Sequence, residues 1–166
     1  FQELWLEWPG LVSGLKWTIL LSGAMTASGL LGGMLLLFFL THPSRAVRAA
    51  ANAYVTFFVG TPLLALLFLA YYGLPTVGID LSPFAAAFLG FTLNVSAYNA
   101  RYLMSGYRAI SAAEREAAAA MGYGRRQAFR LLILPQSFRY AVPGLTSQTI
   151  NNLKDSSIAF LIQCDG

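Results

Sequence analysis

The 166 residues are 57% hydrophobic and 11% charged, with a mean hydropathy of +0.58 and a formal net charge of +4. Soluble domains carry about 25% charged residues, so this composition excludes an ordinary water-soluble globule and points to an integral membrane chain. One cysteine, Cys164, and one histidine, His42, exclude an internal disulfide framework and offer no metal cluster.

Residues 1–10 are aromatic and acidic, with Glu3, Trp5, Glu7 and Trp8, which suits a segment at the lipid headgroup level. The acidic start and the length of the first apolar run argue against a cleavable signal peptide. That run, residues 15–40, exceeds the roughly 20 residues needed to cross a bilayer. Within it Ser28, Gly29, Gly32 and Gly33 form small-xxx-small pairs that admit a neighbouring helix closely. Residues 41–51 read as a short basic turn with Pro43, Arg45 and Arg48, and His42 there reads as a solvated loop residue. The second span is expected over 54–72, kinked near its start by Gly60-Thr61-Pro62, because proline cannot donate the helical bond.

The third span, 83–105, carries a polar stripe of Asn94, Tyr98, Arg101 and Ser105. An arginine inside a span costs about 2.5–3.5 kcal/mol at the bilayer centre. Snorkelling lowers that cost, and two readings remain: an interfacial anchor whose neighbours Asn94 and Tyr98 bond an adjacent helix, or part of a solute path. Residues 107–135 form a cytoplasmic segment. Ser111 and Glu114 make a capping box, alanines dominate a helix over 112–121, and Gly122 ends it. A second, basic helix follows over 125–133, with Pro135 expected to stop it.

The last span, 137–163, is too polar to face lipid, so it belongs inside a bundle or against an aqueous cavity. Gln148, Asn151, Asn152 and Asp155 share one of its faces. Arginine is concentrated in 41–51 and 106–139. The positive-inside rule therefore places the N-terminus outside and the helix pair in the cytoplasm. A helix, a glycine turn and a basic helix would also suit a DNA reader. Such a reader would show steeply salt-dependent duplex binding, but the first helix has few bulky residues to pack on the second. No nucleic-acid partner is expected.

These residues resemble the permease subunits of ATP-binding-cassette importers, in particular the polar amino acid uptake group. The resemblance lies in Glu116-Ala117-Ala118, Gly122 and Ile133-Leu134-Pro135. It extends to Gly60-Thr61-Pro62-Leu63-Leu64, Tyr71-Tyr72-Gly73-Leu74-Pro75, Ala97-Tyr98, Leu134-Pro135-Gln136 and Leu153-Lys154-Asp155-Ser156-Ser157. It implies an all-α, polytopic integral membrane helical bundle of the type I importer kind, in the bacterial inner membrane. The chain would form a single permease domain that performs no covalent chemistry and needs no cofactor or metal.

It further implies that Glu116, Ala117, Ala118, Gly122, Arg125 and Arg126 form a coupling helix docking on an ATPase. The solute would pass Asn94, Tyr98, Arg101, Gln148, Asn151, Asn152 and Asp155. The implied partners are a second permease subunit, identical or homologous, two cytoplasmic ATPase subunits, an extracytoplasmic solute-binding protein, an amino acid and the lipid bilayer.

The chain departs from that pattern at Val59, Arg101 and Ser105, where the family has arginine, glutamate and arginine. Arg101 disfavours a basic amino acid as solute. The chain also stops at Gly166, before the family's last helix, which reads as a C-terminal truncation. The competing expectation is an ATPase-independent channel or secondary transporter, whose uptake would persist without the ATPase.

Overall fold

The structure, a computed structural model, describes residues 8–155, and side chains from residue 19 onward except that of Leu21. The expectations for Trp5, Ser156, Ser157, Cys164 and the end of the last span lie outside the described residues. Every described regular element is helical. The helices are α1 (Trp8–Leu40), α2 (Arg45–Gly60), α3 (Leu63–Phe68), α4 (Pro83–Ala109), α5 (Ala112–Ala120), α6 (Arg125–Ala128) and α7 (Leu134–Asp155).

Helix α4 is the centre of the bundle. Its residues enter all three apolar clusters: Ala87, Phe91 and Val95 with Met25 and Leu67; Leu103 with Leu37, Ala141 and Leu145; and Ala100 with Leu40, Ala51 and Val55. The small residues of α1 explain how closely it lies on α4. A Cβ built on Gly29 would come within 2.5 Å of Val95 Cγ1, and one on Gly33 within 2.7 Å of Asn99 Cβ. Hydroxyls then join the helices, Ser28 to Thr92 at 2.9 Å and Tyr54 to Ser96 at 2.9 Å. The same device joins α4 to α7. A Cβ on Gly106 would run into the Ser137 carbonyl, and one on Gly144 into the Tyr102 ring.

Large apolar side chains face outward around this core, among them Leu31, Leu35, Phe57, Leu69 and Ile150. A bilayer solvates such a surface; water does not. Ser22–Leu40 of α1 is the one described helix long and apolar enough to cross a membrane by itself.

Two expectations from the sequence are corrected. The basic stretch is a turn only as far as Ser44, and helix begins at Arg45. There Arg48 Nη1 donates to the carbonyls of His42 and Pro43, both at 2.7 Å, so the arginine closes the turn that precedes its own helix. His42 is tied in as well, its Nδ1 accepting the Ser44 amide at 3.1 Å. The kink at Gly60-Thr61-Pro62 is a full break, with Arg45–Gly60 and Leu63–Val77 bent by 103° relative to each other.

The second correction concerns Pro135, which does not stop its helix. Phe129–Ile133 forms a wide π turn, with the Leu134 amide bonding to the Phe129 carbonyl. This turn joins α6 to α7 without interruption. The extra residue in that turn shifts the hydrogen-bond ladder where proline has no N–H to give and where its ring would meet the preceding turn.

Candidate functional site

The break after Gly60 strips α2 of its last bonding partners. In an unbroken helix the carbonyl of Phe58 would accept from residue 62, but Pro62 has no amide hydrogen. Side chains replace the missing donors. Asn94 Nδ2 donates to the Phe58 carbonyl at 2.9 Å, the Tyr98 hydroxyl reaches the Val59 carbonyl at 3.4 Å, and Thr61 Oγ1 donates to the Phe57 carbonyl at 2.7 Å. In hydrocarbon each unsatisfied backbone group would cost several kcal/mol, so this part of the polar stripe on α4 stabilises the break. Asn94 and Tyr98 thus bond a neighbouring helix, as one of the two sequence readings had it.

The same break opens a cavity of about 540 Å³. Asn94, Tyr98 and Tyr102 of α4 line one side, Gln148, Asn151 and Asp155 of α7 another, and residues 59–63 the third. The structure therefore brings together five of the seven solute-path candidates. The other two point elsewhere. Asn152 is buried, accepts from Gln148 Nε2 at 2.9 Å and reaches Thr26 Oγ1 of α1 at 3.4 Å. Arg101 lines a separate cavity between α2 and α4. Tyr102, absent from the sequence reading, packs over Gly144 and forms part of the wall. Its sequence signal is the pairing of a large ring with a glycine in the polar helix, visible only once the two helices are known to cross.

At one end of the bundle stands α5. Ser111 Oγ accepts the Glu114 amide at 3.2 Å while Glu114 Oε2 accepts the Ser111 amide at 3.3 Å, completing the capping box. Gly122 takes φ 80°, the left-handed region open to glycine. The amides of Gly122 and Tyr123 bond back to the Ala119 and Ala118 carbonyls, a Schellman close.

Among the residues expected to couple, Glu116, Ala117, Gly122 and Arg126 are exposed. Ala118 faces inward, 1% exposed, and so presents no surface to a partner. Arg125 is engaged within the chain, its Nη2 donating to the Phe38 carbonyl at 2.9 Å and its guanidinium lying 4.1 Å from the Phe38 ring centroid. Arg115 is held likewise, against the Ile110 carbonyl at 2.5 Å and the Tyr107 ring.

Comparison with known proteins matches residues 28–163 to the model of a family described as the binding-protein-dependent transport system inner membrane component. The chain belongs to that family. It is a transport permease subunit and not an enzyme. The probable amino-acid ABC transporter permease protein YckA of Bacillus subtilis is 34% identical over 156 residues, covering 94% of this chain and 69% of the relative. The probable amino-acid ABC transporter permease protein PatM of Vibrio harveyi is 43% identical over 117 residues, 68% of this chain and 52% of the relative. The chain thus spans between about half and seven-tenths of their lengths. The crystal structure of an amino acid ABC transporter with histidines superposes with a TM-score of 0.85 at 30% identity, covering 98% of this chain and 76% of that one. The all-α, type I importer fold expected from the sequence holds.

Proposed function

We propose that this permease subunit carries a polar amino acid across the bacterial inner membrane through the cavity at the α2–α3 break, driven by a separate ATPase seated on α5. The observation that carries this reading is that α4 and α7, which form two of the cavity's three sides, flank α5 in the chain. Helix α4 ends at Ala109 and α5 begins at Ala112. On its other side, α5 is followed by Arg125 and then by continuous helix into α7. A push on α5 therefore reaches Asn94 and Tyr98 by one route and Gln148, Asn151 and Asp155 by the other. Rocking these helices against each other exposes the cavity alternately to either side, the physical content of alternating access.

The cavity's amides, phenols and one carboxylate suit a zwitterion, with Asp155 available to an α-ammonium group. The names of the similar proteins, amino-acid permeases and an amino acid transporter crystallised with histidines, support the same solute class. In this reading the N-terminus lies outside and α5 in the cytoplasm. A second permease subunit completes the path, two ATPase subunits supply the work, and an extracytoplasmic binding protein delivers the solute. Glu116 and Arg126 offer charge-assisted contacts at the rim of the ATPase groove.

The test is co-purification. Glu116→Lys and Gly122→Pro should abolish association with the ATPase subunit while membrane insertion stays normal. Recovery of either variant with a full ATPase complement would refute the coupling assignment.

A further inference from the structure

Arg101 does not share the polar cavity with Tyr98, although only two residues separate them. It faces a second cavity of about 680 Å³ between α2 and α4, at the α5 end of the bundle. Arg108 lines the same space, and Ser105 lies between the two arginines. Positions 101, 105 and 108 are i, i+4 and i+7 and share one helix face. Across from them Thr56 and Asn52 of α2 complete a polar rim, while Leu40, Val55 and Met104 form an apolar wall.

The charge in this cavity is one-sided. Among the described residues, aspartate and glutamate are absent from its lining. Arg48, Arg115 and Arg125 each donate to backbone carbonyls, yet neither Arg101 nor Arg108 bonds to any described residue. Two guanidinium forks thus face one concave space with no counter-charge among the described residues that line it. Arg101, Ser105, Arg108, Asn52 and Thr56 are all exposed, so an anion reaches the two guanidinium groups from outside and the attraction between them is screened by salt. Guanidinium geometry selects planar or tetrahedral oxyanions with two or more acceptor oxygens.

We propose that this cavity is an oxyanion site, in which Arg101 and Arg108 hold a carboxylate or phosphate group with the Thr56 and Ser105 hydroxyls beside it. Two sources present that chemistry. One is the side-chain carboxylate of an acidic amino acid, since the two cavities share Val59 and Gly60 as a common wall. The other is the phosphate of an anionic lipid entering from the bilayer at the inner interface. The solute source rests on the transport reading above; the site itself does not.

The experiment uses the full chain reconstituted in nanodiscs. One arm measures equilibrium binding of radiolabelled L-glutamate and L-glutamine in neutral phosphatidylcholine. The second measures retention of phosphatidylglycerol against phosphatidylcholine by native mass spectrometry. Arg101→Gln, Arg108→Gln and their double variant are compared with Arg139→Gln, an exposed arginine outside the cavity.

The site predicts that one oxyanion probe loses at least tenfold in affinity in each cavity variant and keeps it in Arg139→Gln. Arg101→Lys, which retains charge without the fork, should recover part of the loss and guards against misfolding of the glutamine variants. Loss of glutamate binding with glutamine unaffected assigns the solute; loss of phosphatidylglycerol assigns the lipid. Absence of binding by both probes, or equal losses in Arg139→Gln, overturns the site. Neither result touches the ATPase test, so the two readings fail separately.

Discussion

Removing the Arg125 side chain should loosen α5 and α6 from the bundle. The guanidinium makes one charged hydrogen bond to the Phe38 carbonyl at 2.9 Å and one cation–π contact at 4.1 Å, and Phe129 meets the same ring edge-on at 5.1 Å. A hydrogen bond to a charged group contributes about 1.5–3 kcal/mol when well shielded. Arg125 is exposed, so solvent competition reduces that share. An exposed cation–π contact adds about 0.5–1 kcal/mol.

A loss of about 1–2 kcal/mol for Arg125→Ala corresponds to roughly 5- to 30-fold more frequent opening of the segment. Amide hydrogen exchange of residues 112–128 in nanodiscs would read that factor directly. Phe38→Leu keeps the carbonyl and removes the ring, so the two changes together should show a coupling of about 0.5–1 kcal/mol. Exchange unchanged within about twofold in Arg125→Ala, or strict additivity with Phe38→Leu, would refute this account of how α5 is held.

Three further outcomes are expected. Ser111→Ala removes half of the capping box and about 1 kcal/mol with it; exchange should accelerate roughly fivefold at residues 112–115 and stay constant in α7. Gly106→Ala places a methyl group against the Ser137 backbone carbonyl, which cannot swing aside as a side chain would, at a cost of about 1–3 kcal/mol. Gly23→Ala meets nothing within 4 Å, and since alanine is the better helix former its thermal midpoint should hold or rise. A fall in both midpoints would show that the close approach of α4 to α7 is not what Gly106 serves.

What the sequence could decide by itself were the features whose causes lie within a few neighbouring residues. The composition requires a bilayer, Ser111 and Glu114 define where α5 starts, and Gly122 closes it, because a cap or a left-handed turn needs nothing from elsewhere in the chain. Alternatives contained in a short stretch were also legible: the small residues of α1 had to meet another helix, and Pro62 had to interrupt one.

Which partner each side chain meets was decided by the tertiary structure. A polar face built at i, i+3, i+4 and i+7 is about 100° wide, so Asn151 at one edge enters the cavity while Asn152 at the other turns to Thr26 of α1. Arg101 and Tyr98 likewise share a stripe and open into different spaces. Proline sets the two extremes: the helices that meet at Pro62 bend by 103°, whereas Pro135 is carried through by a π turn. The residue is the same in both places. The difference lies in which neighbouring groups can satisfy the backbone bonds that it leaves open.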